Sequence, residues 1–325
     1  MEEKFVGTVL GAAIGDALGK AVEDVPGQEV FEFYGGRIED FQPPHPSSPA
    51  YGQLPEETSD ETTPFRLLLE SLVEKKRLDV KDYLERLLKW LEREETHRYP
   101  DPALVAALNY LARGVDPSSV GLTSSSIEGA LRSVALGLFH YYNPALAAEG
   151  AKVVSMLTHR SPEVKDASAL LAALIAHLLR EDFYLENFSE RLRLIETLKQ
   201  YLERDKHKKA LDAVAELLQE GADLEEAILR LGNGSYAFEA LPLALFVFLS
   251  RVGEPAQALF DAVNAYGEFG GDTDALGFLV GSMVGAYYGE EALPQHLKER
   301  VEDAEKLREL ALKLHEVASS QAPNT

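Results

Sequence analysis

Gly270-Gly271-Asp272-Thr273-Asp274-Ala275-Leu276-Gly277 is the stretch from which the chain is best read. Two glycines make a turn, two carboxylates follow at i and i+2, and an apolar helix over 275–288 starts at once. Far upstream, Ser59-Asp60-Glu61-Thr62 precedes the apolar run Phe65-Arg66-Leu67-Leu68-Leu69 in the same layout. Acidic residues at helix starts cap amides and favour the macrodipole, which accounts for either cluster alone. Together, Asp60, Glu61, Asp272 and Asp274 would repel one another at close range. Either the two helix starts lie apart, or a cation neutralises them. Carboxylate and hydroxyl oxygens without thiolates suit Mg²⁺ or Mn²⁺ rather than zinc.

Outward from these clusters, helical periodicity dominates. It predicts helices over 4–18, 61–76, 127–140, 186–202, 273–288 and 297–318, among others, rich in Ala, Leu and Glu. Asp101-Pro102, Asn143-Pro144 and Ser161-Pro162 each place a cap residue before a first-turn proline. Strand signals are nearly absent; residues 28–41 are the one candidate for a short extended piece. The long loop 24–57 ends beside the first acidic cluster, where long loops in compact domains are often functional. No linker marks two domains. The expectation is a single compact all-α domain of many orthogonally packed helices over 1–318, with a flexible tail over 319–325.

The chain has 325 residues, 46% of them apolar, enough for a sizeable core. Its 54 acidic residues outnumber 32 basic ones, a net charge of -22 that repels phosphate backbones and argues against general nucleic-acid binding. The absence of cysteine excludes disulfides, thiolate zinc sites and cysteine nucleophiles. The first apolar segment, 6–18, carries Asp16, reads as too short for a bilayer and follows Glu2 and Glu3 rather than a basic stretch. A soluble, cytoplasmic protein without membrane contact is expected. No G-x-S-x-G, Walker loop or H-E-x-x-H occurs.

Several motifs taken together resemble the ADP-ribosylglycohydrolase family, which includes the dinitrogenase-reductase-activating glycohydrolases. Gly11-Ala12-Ala13-Ile14-Gly15-Asp16-Ala17-Leu18-Gly19 followed by Glu23 resembles its G-A-x-x-G-D-A-L-G…E opening. Ser59-Asp60-Glu61-Thr62 stands where the family has T-D-D-T, and Gly270 to Asp274 resembles the start of G-G-D-T-D-T. Gly129-Ala130-Leu131-Arg132 with Leu136-Gly137, Thr158-His159, and Glu239 within residues 235–241 are weaker matches.

The resemblance implies an all-α hydrolase with Mg²⁺ or Mn²⁺ in a central cleft. Such an enzyme cleaves the bond to ribose C1″ of an ADP-ribosylated side chain or a related ADP-ribose derivative. Its partners would be an ADP-ribose-containing small molecule or an ADP-ribosylated protein. Ser59, Asp60 and Glu61 would form one ligand set, Asp272 and Asp274 the other. Asp60 would also orient water, and Glu23 would lie near the ribose to gate the site or assist proton transfer; its plain reading is a helix-end surface carboxylate. Ser124, Ser125, Ser126, Gly129 and Gly271 would meet the ligand, with a helix cap and turn the plain reading of the serines. Tyr266 and Phe269 would stack on adenine or ribose, with core packing the stronger alternative.

Glu61 for Asp, Ala275 for the final Thr or Ser, and Ser126-Ile127-Glu128 for G-N-G depart from the pattern. Ala275 removes one oxygen ligand, so one ion or two is expected, the second weakened. These departures admit another reading: a catalytically weakened or inactive relative that binds ADP-ribose or serves a structural role. Asp16 reads equally as a structural or a site group, His159 and Arg132 read as structural groups, and the runs 75–77 and 207–209 as solvated surface.

Overall fold

The computed structural model describes residues 1–120 and 123–323. Its centre is a pair of antiparallel helices from opposite ends of the chain, Glu2–Gly19 and Thr273–Tyr288. Gly7, Gly11, Gly15 and Gly19 line one helix at four-residue spacing; Gly277, Gly281 and Gly285 line the other. A Cβ on Gly15 would overlap the Gly277 carbonyl, and one on Gly281 or Gly285 would overlap the carbonyl of Gly11 or Gly7. Backbone therefore lies directly on backbone, and no side chain fits between them. Both helices are apolar on every side and buried almost throughout, as all-round apolar helices must be.

Helices Pro162–Arg180, Ala237–Ser250 and Pro255–Val263 pack around this pair. Ala304–Gln321 closes over the first helix and Thr63–Lys75. One large apolar core results, with a small satellite of Ala148, Ala169 and Ala173. Among the described residues there is no strand, only a lone antiparallel bridge between Ser126 and Tyr236. The all-α expectation holds.

Local expectations are corrected in several places. Residues 28–41 form no extended piece: Gly27–Tyr34 is a helix, anchored by buried Val30 and ended by Gly35 at φ 77°. The helix expected over 127–140 is broken into Glu128–Leu131 and Val134–Phe139. The one over 297–318 becomes Gln295–Lys298 and Ala304–Gln321, with Asp303 left-handed between them. That last helix runs three residues into the expected tail; Asn324 and Thr325 lie outside the described residues. Helix 186–202 ends at Leu198, before a 3-10 turn over Lys199–Tyr201. The first helix with its 3-10 extension, Glu2–Val22, is long and apolar enough to cross a bilayer by length and composition, contrary to the shorter span read from sequence. Its apolar window lies wholly inside the fold.

A candidate cation-holding cleft

The glycine seam sets Asp16, near the end of the first helix, beside the start of Thr273–Tyr288. Asp16 is fully buried and stitches in the second acidic segment. It accepts bonds from Ser59 N (2.9 Å), Ser59 Oγ (2.6 Å) and Thr62 Oγ1 (2.6 Å). Segments about 215 residues apart in sequence thus meet, with Ser59 Oγ 3.5 Å from Asp274 Oδ2. Asn233 fixes the glycine turn from the other side. Its side-chain amide donates to the carbonyls of Ala265, Tyr266 and Gly270, and its own carbonyl accepts from Asp272 N at 2.9 Å. Asp24 N donates to the Gly271 carbonyl at 3.0 Å, which places Glu23 over the turn.

Neither acidic cluster caps its helix. Asp272 stands at the N-cap position, but its side chain makes no capping bond, and Thr62 makes none either. One oxygen each from Glu23, Asp272 and Asp274 lies within 4.8 Å of the others. Both oxygens of Asp272, Oε2 of Glu23 and Oε2 of Glu61 are buried without a hydrogen-bond partner. A buried carboxylate without a donor is strongly disfavoured unless it is protonated or bound to a cation. Burial, with the fields of Asp274 and its neighbours, pushes Glu23, Glu61 and Asp272 well above the usual carboxylate range. For Glu61 the nearest like charge is Glu128, a carboxyl beside its own. Burial and the Asp274 charge hold Asp16 up to about 7, and burial takes Glu128 to about 8. Convergent oxygens and orphaned lone pairs are the donor set a hard divalent ion prefers.

The cluster opens into a cleft of about 720 Å³ lined by Glu23, Asp24, Tyr99, Asp101, Ser124, Ser126, Glu128 and Asp272, among others. No Lys, Arg or His occurs among the described residues lining it. Asp101 is held rigid: Oδ1 caps Ala103 N at 3.0 Å, and Oδ2 meets His159 Nε2 at 2.6 Å. His159 in turn touches Thr158 Oγ1 at 2.7 Å. Its ring lies where a Cβ on Gly129 would be, so the glycine there makes room for the histidine.

The expected site residues divide accordingly. Glu23, Asp272 and Asp274 converge; Glu61 is buried near enough to feel the charges of Asp274 and Asp272, and Ser59 Oγ stands 3.5 Å from Asp274. Asp60 lies apart from them. Its oxygens accept from Thr63 Oγ1 (2.8 Å) and Arg98 N (2.6 Å), and it lines a separate hollow of about 150 Å³ with Arg98 and Glu302. The groups acting on Asp60 besides its burial are Arg98, Thr63 and His97. Ser124 and Ser126 line the cleft, whereas the Ser125 carbonyl is bonded to Ala237 N. Gly129 and Gly271 serve the close packing of His159 and Asn233. Tyr266 is half-buried against Gly27, and Phe269 is 85% exposed; neither lines the cleft, and Phe269 is not in the core. Arg132 is fully buried and does not line the cleft, donating weakly to the Val154 carbonyl, and His207 is buried on Asp166 rather than solvated. Sequence reasoning missed Asp101 and Tyr99. A cap signal hid the first, and no local signal marks the second.

The ADP-ribosylglycohydrolase family model matches residues 1–324. An uncharacterized protein of Archaeoglobus fulgidus is 30% identical over 319 residues, covering 98% of this chain and 97% of its own. ADP-ribosylhydrolase ARH3 of Mus musculus is 29% identical over 345 residues, covering 97% and 91%. ARH3 of Bos taurus is 27% identical, covering 97% and 93%. A solved structure described as an ADP-ribosylglycohydrolase-related protein complex superposes with a TM-score of 0.73 at 26% identity, covering 98% of both chains. With its motifs, its helical fold and a match over nearly its whole length, this chain belongs to the ADP-ribosylglycohydrolase family.

Proposed function

We propose that the protein hydrolyses the bond between ribose C1″ and a modified side chain, or the equivalent bond of a related ADP-ribose derivative, with Mg²⁺ or Mn²⁺ held in the cleft. The observation that carries this reading is Asp272, whose two buried oxygens have no partner while Glu23 and Asp274 converge beside it. Glu23, Glu61, Asp272 and Asp274 would hold the ion. When bound, it supplies the positive charge that lets these carboxylates ionise together and polarises an oxygen ligand. Asp101, fixed by His159 and kept below the usual carboxylate range despite its burial, stands in the cleft as an acceptor for a ligand hydroxyl or water. Ser124 and Ser126 offer hydroxyl donors along the same wall. An anionic diphosphate would rely on these donors and on the ion, since no described residue lining the wall is basic.

The test is release of ADP-ribose from ADP-ribosyl-serine and ADP-ribosyl-arginine peptides and from O-acetyl-ADP-ribose. Release in Mg²⁺ or Mn²⁺, lost on chelation and in Asp272→Asn, is expected. Glu128 in the cleft and Ala275 in the helix start favour a second reading, a catalytically weakened relative. Retained ADP-ribose binding without turnover of any substrate would establish that one instead.

A further inference from the structure

Tyr99 has φ 41°, a left-handed conformation that bulky side chains avoid. Such strain persists only where the surroundings over-determine it, and it gathers at functional positions. Here the backbone is clamped on both sides. On one, Arg98 N donates to Asp60 Oδ2, and the Arg98 guanidinium grips Glu302 through two bonds (2.6 and 2.9 Å). It also bonds Glu57 Oε2 (2.9 Å) and the Thr58 carbonyl (2.7 Å). On the other stand Pro100 and Asp101, the latter fixed by Ala103 N and His159.

The result of the clamp is one contact. Tyr99 OH donates to Asp274 Oδ2 at 3.0 Å. The other Asp274 oxygen is held by Ala275 N at 2.9 Å. Ser59 Oγ is committed to Asp16 at 2.6 Å and stands 3.5 Å from Asp274, while Ala275 has no hydroxyl to offer. Among the described residues Tyr99 is therefore the close hydroxyl donor to this carboxylate.

We propose that Tyr99 is a positioning residue whose hydroxyl orients Asp274 toward Asp272 and Glu23, and that Asp60 serves the cleft indirectly by fixing the backbone that carries it. The proposal rests on the cation-holding reading above. Partners that orient a ligating carboxylate typically set affinity by about 10- to 100-fold.

The test is titration of metal-stripped wild type, Tyr99→Phe and Tyr99→Gly with Mn²⁺ and Mg²⁺ by calorimetry, beside their cation-free melting temperatures. Tyr99→Phe keeps the ring and the strain but loses the hydroxyl; about tenfold weaker cation binding at an unchanged melting temperature is expected. Tyr99→Gly relieves the strain but deletes a largely buried ring, so its melting temperature should fall, and its cation affinity should fall at least as far as that of Tyr99→Phe. Wild-type affinity in Tyr99→Phe would overturn the proposal and leave the cation reading intact. Losses of affinity and melting temperature in step in Tyr99→Phe would also overturn it, showing a loop-holding role alone. A wild type that takes up no cation would overturn the cation reading and this proposal with it.

Discussion

Asp272 and Asp60 are acidic residues beside helix starts, yet their surroundings are opposite. Asp272 accepts no hydrogen bond, and Asp60 accepts two. Replacing Asp272 by Asn removes a buried carboxyl that must otherwise hold a proton or a charge at a cost, so the cation-free protein should melt at a higher temperature, while the rise caused by added Mn²⁺ should vanish. Asp60→Asn should keep a smaller Mn²⁺-induced rise, because the backbone that carries Tyr99 is held less firmly, and lose about 1–3 kcal/mol of stability in urea titration as the hold on Arg98 N and Thr63 weakens. The reverse ranking would show that the cluster is read wrongly. Glu23, Asp272 and Asp274 were legible through the motifs that carry them. The roles within Ser59-Asp60-Glu61 were not, because adjacent side chains leave a turn in different directions and sequence order does not say which one enters the cleft. Asp101 announced only its capping of Ala103, its second oxygen being committed to a histidine 58 positions away.

At the scale of the element, the seam between Glu2–Gly19 and Thr273–Tyr288 joins the two ends of the chain and so builds the cleft. In an exposed helix, Gly→Ala would stabilise by about 1 kcal/mol. Gly15→Ala should do the opposite here, costing about 3 kcal/mol in urea titration, since its Cβ has only the Gly277 carbonyl to occupy. A neutral or stabilising result would mean the helices stand further apart. The glycine spacing is visible in the sequence, but a periodicity of apolar side chains passes over residues that have none. The same periodicity found most helices and missed their interruptions. Asp303 turns left-handed where nothing local requires it, and Gly27–Tyr34 is a helix of β-branched and aromatic residues whose burial of Val30 outweighs their propensity.

Across the whole molecule, the folded state without cation retains protons that the unfolded chain releases near 3.8 to 4.5. Asp16 holds one up to about 7 and Glu128 up to about 8, with Glu23, Glu61 and Asp272 also raised. The unfolded chain therefore binds fewer protons than the folded one over this range, and stability falls as pH rises. Buried His140, His159 and His177 are held low and act oppositely below their ordinary 6.5. The window in which the carboxyls govern is thus from about pH 6.5 to about pH 8. Chelated protein should melt lower at the upper end of that window, by roughly 1 kcal/mol per pH unit for each group involved, and saturating Mn²⁺ should flatten the slope. A chelated protein more stable at the upper end would show that these carboxyls are already ionised without an ion. Whether the cleft holds a cation is decided by calorimetric titration of metal-stripped protein with Mn²⁺ and Mg²⁺ near pH 8, beside Asp272→Asn. Saturable binding by wild type, weakened roughly tenfold or more in the variant, is the predicted result; a flat wild-type titration, or equal binding by the two proteins, would contradict it.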